Sequence, residues 1–202
     1  MKVSIIGASG YTGRELVSML LNHPLVELTT ITSRTLAGQS LNSQMPNLRG
    51  KGGDLLFSNP SIDELCGKEE IEIFFLVLPH GTSATFVKPL LDSGKKVIDL
   101  SADFRIRSPE IYQSFYDSPH PAPELLKISQ YALPELNPLS WDVSHLLASP
   151  GCYPTSIILP LAPLLKEKLI GADDIIANSM SGVSGAGRNP SEKLMFCERN
   201  EN

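Results

Sequence analysis

A single cysteine stands at the mouth of a long apolar segment, in the sequence SPGCYPT at residues 149–155. Residues 146–148 indicate the end of a buried strand, the Pro-Gly pair a sharp turn, and Pro154 the first turn of a helix, where proline is tolerated because the amides lack intrahelical partners. We therefore expect Cys152 at or just before a helix N-terminus. Unpaired amides there favour a thiolate and could hold an oxyanion once the sulfur attacks a carbonyl. The alternative is a buried structural cysteine, the commoner fate of a lone cysteine.

The composition limits what this thiol can belong to. The 202-residue chain is 42% hydrophobic and 19% charged, as expected of a globular protein with one full domain and part of another. Its formal net charge of -5 gives no reason to expect nucleic acid or a membrane surface as a partner. Cys66, Cys152 and Cys197 are few and odd in number for a disulfide framework, and they lack the paired close spacing of a zinc site.

The hydropathy pattern predicts a location. The apolar run that opens the chain is too short for a signal peptide, and no later run approaches the ~18 apolar residues of a membrane span. We therefore expect a cytoplasmic protein without a membrane partner.

A glycine-rich segment lies near the start of the chain. Residues 2–6 form a short β-branched run before GASGYTG at 7–13, and a helix is predicted over 14–22. This helix should present one apolar face, formed by Leu16, Met19 and Leu20. In such a context glycines bring the backbone close to a pyrophosphate at the helix N-terminus. The spacing is G-x-x-G-x-x-G rather than the commoner G-x-G-x-x-G, so a simple turn is the alternative. The residues that we assign to a dinucleotide here are Gly7, Ser9, Gly10, Tyr11, Thr12 and Gly13.

The second strand, predicted at residues 26–32, ends where a dinucleotide fold reads the ribose. An acid there accepts from the 2′-hydroxyl of NAD, whereas an arginine accommodates the 2′-phosphate of NADP. After this strand the sequence offers Ser33 and Arg34, and the next acid is Asp54. We therefore predict NADP(H), with Arg34 paired to the phosphate and Ser33 or Thr35 adding a hydroxyl. A solvated loop arginine is the alternative.

The rest of the pattern alternates strands and helices. A long polar loop is expected over 36–53, and buried strands over 72–78 and 96–100. Prolines between 119 and 138 mark an irregular connection before the last strand of the sheet. Further elements are a short strand at 54–58, a helical turn at 62–66 and a helix at 84–92. The alternation predicts an α/β fold, a Rossmann-type doubly wound parallel sheet whose ligands bind beyond the carboxyl ends of the strands.

Two strand ends carry further polar side chains. His80 follows the strand at 72–78 and either lies near the cofactor or is an ordinary loop histidine. Asp103 and Arg105 follow the strand at 96–100. Arg105 either receives an anionic group of the substrate or forms a structural pair with Asp103 that fixes the loop.

The segment after Cys152 holds two prolines, Pro160 and Pro163, which predict a bent or short helix. Residues 173–180 indicate a strand that leads into a glycine- and serine-rich loop at 181–188. Such a loop suits close approach of the backbone to a ligand, although a mobile surface loop has the same composition.

Six segments together resemble the N-acetyl-gamma-glutamyl-phosphate reductase family, the arginine-pathway members of the semialdehyde dehydrogenase group. They are GASGYTG at 7–13, TSR at 32–34, LPHG at 78–81, SADFR at 101–105, SPGCYPT at 149–155 and SGVSGAGR at 181–188. They follow one another along the whole chain, and the cysteine segment is the most specific of them.

The resemblance implies an NADP-binding Rossmann domain over residues 1–150 and the beginning of an α+β catalytic and oligomerisation domain over 151–202. It implies that NADPH reduces N-acetyl-L-glutamyl 5-phosphate to the 5-semialdehyde by way of a thioester on Cys152, and that the full-length form is a homo-oligomer. The further site residues that it implies are His80, Ser181 and Gly182 for the cofactor, and Arg105, Ser184 and Gly185 for the substrate.

The resemblance also implies a longer chain. In the family the general acid/base histidine lies downstream of the loop at 181–188, whereas all four histidines of this sequence precede Cys152. We therefore expect a truncated version with a folded cofactor domain and crippled hydride transfer, because general acid/base help is worth ~10²- to 10⁴-fold.

Two other interpretations share these residues. An aspartate-semialdehyde or amino-adipate-semialdehyde dehydrogenase would use the same thiol and NADPH, and turnover of the three semialdehydes separates these enzymes. A non-catalytic NADP-binding module would keep Cys152 only as a structural residue, so that Cys152→Ser would change no activity.

Overall fold

The chain folds around one parallel β-sheet in a computed structural model that describes residues 1–188 and 191–195. In chain order its strands are β1 (Lys2–Ile6), β2 (Glu27–Thr32), β3 (Phe57–Ser58), β4 (Ile73–Leu76), β5 (Lys96–Asp99), β6 (Gln130–Tyr131) and β7 (Leu146–Ala148). Their spatial order is β3-β2-β1-β4-β5-β7-β6, and every neighbouring pair is parallel. The chain proceeds from β1 toward β3 and then returns to β4 on the other side of β1. This confirms the predicted doubly wound α/β sheet.

Helices cover both faces of this sheet. In chain order they are α1 (Tyr11–Leu21), α2 (Leu41–Gln44), α3 (Ile62–Cys66), α4 (Ala84–Asp92), α5 (Pro109–Tyr116) and α6 (Cys152–Lys166). Short 3-10 helices occupy Pro46–Leu48, Pro123–Lys127, Val183–Ala186 and Glu192–Leu194. In the described part of the chain, no helix is both long and apolar enough to cross a membrane.

The apolar side chains of β1, β4 and β5 alternate between two cores. On β1, Val3 and Ile5 belong to the core under α1, whereas Ile6 belongs to the core under α3 and α4. Strands buried on both faces need an apolar side chain on each, which accounts for the nearly continuous apolar runs of the sequence.

Two predictions in the first half of the chain were wrong in detail. Of the predicted apolar face of α1, Leu20 is buried and Leu16 packs against the same core, but Met19 is 67% exposed. The buried residues of α1 are Gly13, Val17 and Leu20. These positions follow the i, i+4, i+7 spacing of a helix stripe, which also lets the chain pass close to the sheet at Gly13. The predicted loop over 36–53 contains α2 and a 3-10 helix, because Ser40 caps α2 by accepting from the Ser43 amide at 3.2 Å.

In the second half, one prediction was wrong and one of two alternatives failed. Residues 173–180 form no strand, because no other segment of the described chain pairs with them, and a strand requires such a ladder of hydrogen bonds. The helix after Cys152 is not short, since α6 continues for 15 residues through Pro160 and Pro163. Each proline removes one backbone donor without ending the helix. A bend at these prolines stays a prediction.

The proline-rich connection before β7 holds structure that the pattern did not indicate. A 3-10 helix over Pro123–Lys127 leads into β6, whose two residues pair in parallel with β7 at the edge of the sheet. α5 was missed as well, although Ser108 caps it by accepting from the Ile111 amide at 3.2 Å.

Candidate active site

The segments predicted to carry chemistry meet at one edge of the sheet. Since all strands are parallel, the turns that follow β1, β2, β4, β5 and β7 lie beyond their carboxyl ends. The strand order reverses between β1 and β4, so the crevice for a ligand lies there. The segment after β2 then stands on one side of this crevice, and the segments after β4, β5 and β7 stand on the other.

The turn after β1 needs glycine at two places for reasons within the protein. Gly7 has a φ of +91°, and a Cβ there would lie 2.2 Å from the Val77 carbonyl oxygen. A Cβ on Gly13 would lie 2.7 Å from the backbone of Ala8. Both glycines therefore let the chain turn tightly between β1 and α1.

The glycine at position 10 is explained differently. It precedes α1 with an ordinary φ of -71°, and a Cβ there would meet no atom of the described residues within 4 Å. α1 has no side-chain cap and no acidic residue in its first turn, and its first intrahelical amide bond runs from Arg14 N to Gly10 O at 2.9 Å. The amides of residues 11–13 therefore face the crevice, and a bare backbone beside uncapped amides fits a phosphate group.

The segment after β2 presents Arg34 to solvent. The Ser33 side chain is buried, and its hydroxyl donates to Ser9 Oγ at 3.0 Å, which joins the segment to the glycine turn. Arg34 is exposed, and its guanidinium has no hydrogen-bond or ion-pair partner among the residues that the structure describes. The arginine is thus free to pair with an anion beside the glycine turn.

Cys152 is the first residue of α6 and is exposed. Gly151 precedes it without a side-chain cap, and the first amide bond of the helix runs from Thr155 N to Gly151 O at 3.0 Å. Since Pro154 has no N–H, the amides of Cys152 and Tyr153 are the ones that lie ahead of this bond. Its position at the helix start was predicted, and its exposure distinguishes Cys152 from a buried structural cysteine. Cys197 lies outside the described residues.

Arg105 fixes the turn that leads to this thiol. Its Nε donates to the Ser149 carbonyl at 2.7 Å and its Nη2 to the Leu100 carbonyl at 2.8 Å. Its Nη1 lies 3.1 Å from the position that a Cβ on Gly151 would take. Arg105 forms no ion pair with Asp103 in the described part of the chain, so the alternative of a structural Asp-Arg pair is wrong.

His80 lies on the turn after β4. Its ring is exposed and stands against Tyr116 of α5, with 5.3 Å between the ring centroids. By strand order, its turn lies on the same side of the crevice as Cys152.

The loop at 181–188 lies against the glycine turn. Arg188 Nη1 donates to the Ser9 carbonyl at 3.2 Å. Ser184 and Gly185, predicted for the substrate, line a cleft of about 650 Å³ together with Tyr11 and Thr12, which were predicted for the cofactor. Ser181 and Gly182 are exposed in the same loop, and the Ser181 hydroxyl donates to the Gly182 carbonyl at 3.0 Å. The loop thus brings its glycines and serines to the N-terminus of α1.

Comparison with protein-family models shows which family the chain belongs to. Residues 2–143 match the family model described as "Semialdehyde dehydrogenase, NAD binding domain", and residues 152–202 match the one described as "Semialdehyde dehydrogenase, dimerisation domain". The chain belongs to the semialdehyde dehydrogenase family. The first match also shows that its Rossmann-type domain is of the kind that binds a nicotinamide cofactor.

The curated relatives that the chain is similar to carry the narrower name that its segments resemble. N-acetyl-gamma-glutamyl-phosphate reductases of Desulfotalea psychrophila and Akkermansia muciniphila are 50% and 47% identical to it over 201 residues. The alignments cover 100% of this chain but 57% and 58% of the two relatives, so the chain spans a little over half of their length.

Solved structures of semialdehyde dehydrogenases share the fold. Aspartate semialdehyde dehydrogenase II of Vibrio cholerae, complexed with ASA, superposes with a TM-score of 0.58 at 19% identity, over 82% of this chain and 46% of that one. The aspartate semialdehyde dehydrogenase of Candida albicans with NADP superposes with a TM-score of 0.53 at 16% identity, over 82% of this chain and 47% of that one.

Sequence reasoning missed one feature of this family member, a pair of buried acids at the end of β5. Asp99 and Asp103 are both fully buried. Ser83 Oγ donates to Asp99, Ser101 Oγ donates to it at 2.7 Å, and the Ser101 amide does so at 3.1 Å. Burial raises the pKa of the Asp99 carboxyl above its ordinary value, against these hydrogen bonds. The available signal was an acid at the end of an apolar strand, which requires hydrogen-bonding partners when it is buried.

Proposed function

We propose that this chain supplies the cofactor site and the nucleophile of an N-acetyl-gamma-glutamyl-phosphate reductase. The reaction is the NADPH-dependent reductive dephosphorylation of N-acetyl-L-glutamyl 5-phosphate to N-acetyl-L-glutamate 5-semialdehyde, a step of arginine biosynthesis. The observation that carries the proposal is an exposed thiol on the first residue of α6, at the edge of the sheet where the cofactor segments meet. The names of relatives at 42–50% identity support the choice of substrate.

Cys152 acts as the nucleophile in this proposal. Its thiolate attacks the acyl carbon, phosphate leaves, and the acyl group stays on the sulfur as a thioester. The amides of Cys152 and Tyr153 are available to the oxyanion that forms during attack, because they precede the first bond of the helix. Arg105 supports the turn from behind, and its Nη1 gives an anionic group of the substrate a positive charge close to Gly151.

NADP(H) is the cofactor that the exposed residues fit. Arg34 is free and exposed where the 2′-phosphate of the dinucleotide would lie, and Ser33 and Thr35 add hydroxyls beside it. When bound, NADPH would supply the hydride that reduces the thioester. The residues that we assign to holding it are Gly7, Ser9, Gly10, Tyr11, Thr12, Gly13, Ser33, Arg34, His80, Ser181 and Gly182. For the substrate, Ser184 and Gly185 join Arg105.

The whole protein works as a homo-oligomer in the cytoplasm in this proposal. The match of residues 152–202 to a dimerisation domain supports the oligomer. We retain the division into a cofactor domain over 1–150 and a catalytic domain that begins at 151.

Acylation of the purified chain tests the proposal without depending on later steps. Incubation with N-acetyl-L-glutamyl 5-phosphate should release phosphate and raise the intact mass by one acyl group. Cys152→Ser should abolish this adduct, whereas Cys66→Ser, which changes the other described free cysteine, should retain it. An adduct that survives in Cys152→Ser would contradict the proposed nucleophile.

A further inference from the structure

The two buried acids after β5 have different kinds of partner. Asp99 accepts mainly from the hydroxyls of Ser83 and Ser101. Asp103 accepts from two backbone amides after β4, on its two separate oxygens: Gly81 N of the turn at 2.7 Å and Ala84 N at the start of α4 at 3.0 Å. A hydroxyl can rotate to donate or accept, whereas a backbone amide can only donate. The turn that carries His80 therefore depends on Asp103 as a carboxylate acceptor.

Asp103 is itself held from several directions. The Tyr112 hydroxyl donates to the Asp103 carboxylate at 3.0 Å, and the Asp103 backbone amide donates to Ser101 Oγ at 3.1 Å. His120 Nδ1 accepts from the Ala122 amide at 3.0 Å, so its Nε2 carries the proton and donates to the Asp103 carbonyl at 2.8 Å. The carboxylate is thus set in place before any ligand binds.

The same short segment reaches the thiol. Two residues after Asp103, Arg105 holds the Ser149 carbonyl and with it the turn before Cys152. Residues 101–105 therefore tie the turn after β4 to the turn after β7, and the distance between His80 and Cys152 depends on this tie.

The strand order shows which half of a dinucleotide this arrangement would serve. Arg34 follows β2, on one side of the crevice, whereas His80 and Cys152 follow β4 and β7 on the other. A dinucleotide whose 2′-phosphate lies at Arg34 and whose pyrophosphate lies at the N-terminus of α1 must extend its nicotinamide toward the turn after β4.

We propose that Asp103 is a positioning residue for the nicotinamide half of the cofactor, acting through the Gly81 and Ala84 amides. The proposal rests on the proposed cofactor site. Its carboxylate holds the turn at 79–83 against the crevice, so that the nicotinamide would lie between this turn and Cys152. Nothing in this arrangement reaches Ser33 or Arg34, so the adenosine half should bind independently of Asp103.

One substitution made at both acids provides a matched pair. In Asp103→Asn, whichever way the amide is turned, its NH₂ group faces the N–H of Gly81 or of Ala84, so one buried donor loses its acceptor. In Asp99→Asn, the NH₂ group can take the place of the oxygen near Ser101 Oγ and donate to that hydroxyl, while the remaining oxygen still accepts from Ser83 and the Ser101 amide. Both side chains are fully buried, so the pair compares an acid that holds two backbone amides after β4 with one that accepts mainly from hydroxyls.

The experiment measures the binding of two ligands to the 202-residue chain and the alkylation of one of its thiols. NADPH reports both halves of the cofactor site, and adenosine 2′,5′-bisphosphate reports the adenosine half alone. Alkylation of Cys152 by iodoacetamide, with and without saturating NADPH, shows whether the nicotinamide half covers the thiol. Asp103→Asn should bind NADPH about tenfold more weakly, bind the bisphosphate like the wild type and lose the protection of Cys152, whereas Asp99→Asn should match the wild type in all three.

The possible results are distinct. Wild-type binding and protection in Asp103→Asn would overturn the proposal, and so would an equal loss of both ligands, which indicates general damage to the domain. If the wild type binds neither ligand, the proposed cofactor site fails and this inference falls with it. Should Asp103→Asn not fold, Tyr112→Phe removes one hydrogen bond to the same carboxylate and keeps the contacts of the ring with Tyr116 and His120. It should weaken NADPH binding about threefold without affecting the bisphosphate. Unchanged NADPH affinity in Tyr112→Phe would then overturn the proposal.

Discussion

The guanidinium of Arg105 and the carbonyl of Ser149 are joined by a hydrogen bond of 2.7 Å, although 44 residues separate them in the chain. A second donation, to the Leu100 carbonyl at 2.8 Å, anchors the same guanidinium to the end of β5. The planar fork of arginine thus spans two strand ends, and the turn that presents Cys152 is built on it. A lysine ammonium lacks this fork.

Arg105→Lys should therefore slow acylation of Cys152 about 100-fold, because a displacement of about 1 Å at a reacting group costs that much. The rate is measured by intact mass after mixing with the acyl phosphate. Arg107→Lys is the matched control, since Arg107 is exposed, and it should acylate at the wild-type rate. Equal rates for the two variants would show that the tie from Arg105 to Ser149 does not set the position of the thiol.

Substitutions at two glycines of the first turn should have separate effects on folding stability and on cofactor affinity. Gly10→Ala places a methyl group in open space at an ordinary φ. Its free energy of unfolding should therefore stay the same or rise by about 0.5 kcal/mol, which the thermal midpoint reports. The same methyl group would stand where we place the pyrophosphate, so NADPH affinity should fall about tenfold or more. Gly7→Ala should instead lower the stability by more than about 2 kcal/mol, because its φ is +91° and its Cβ would overlap the Val77 carbonyl oxygen. Unchanged NADPH affinity in Gly10→Ala would contradict the placement of the pyrophosphate.

Arg34 should decide between the two nicotinamide cofactors. Arg34→Gln should weaken NADPH about 10- to 100-fold, the effect of losing one or two charge-assisted hydrogen bonds, and should leave NADH affinity unchanged. Fluorescence titration of both cofactors measures this, with Arg49→Gln as a control at another exposed arginine. A parallel loss of NADPH and NADH would place Arg34 away from the 2′-phosphate.

Local sequence was sufficient for elements whose signals are local. α4 spans the predicted residues 84–92, and Cys152 begins a helix as its Pro-Gly turn indicated. The partner of Asp103 was not predictable in this way. The sequence suggested its neighbour Arg105, but sheet order brings the amide of Gly81, 22 residues earlier, to within 2.7 Å of the carboxylate. A buried carboxylate is satisfied by the donors that the sheet places around it, and those donors are known only once the strand order is known.

The same limit applies to the residues after α6. The apolar pattern of residues 173–180 favours a strand, but such a pattern shows only that a segment can pair. In the described chain no strand pairs with it, although its Ser179 hydroxyl lies 2.9 Å from that of Ser156 in α6, and Ile176 and Met180 are 88% and 100% exposed. Pairing is a property of two segments, so one of them alone cannot specify it.

Asp99 should give the folding stability a dependence on pH. Burial raises the pKa of its carboxyl in the folded protein above the ordinary value of 3.8, so the folded state holds the proton to higher pH than the unfolded chain does. The stability associated with the neutral form is therefore fully present below the unfolded value and is lost as pH rises through the folded one. Asp99→Asn stays neutral throughout, so its free energy of unfolding, relative to that of the wild type, should increase as the pH is raised from below 3.8 through the pKa of the folded carboxyl. Urea unfolding of both proteins across this range measures the difference, and a difference that stays constant with pH would show that Asp99 ionises in the folded protein as it does in the unfolded chain.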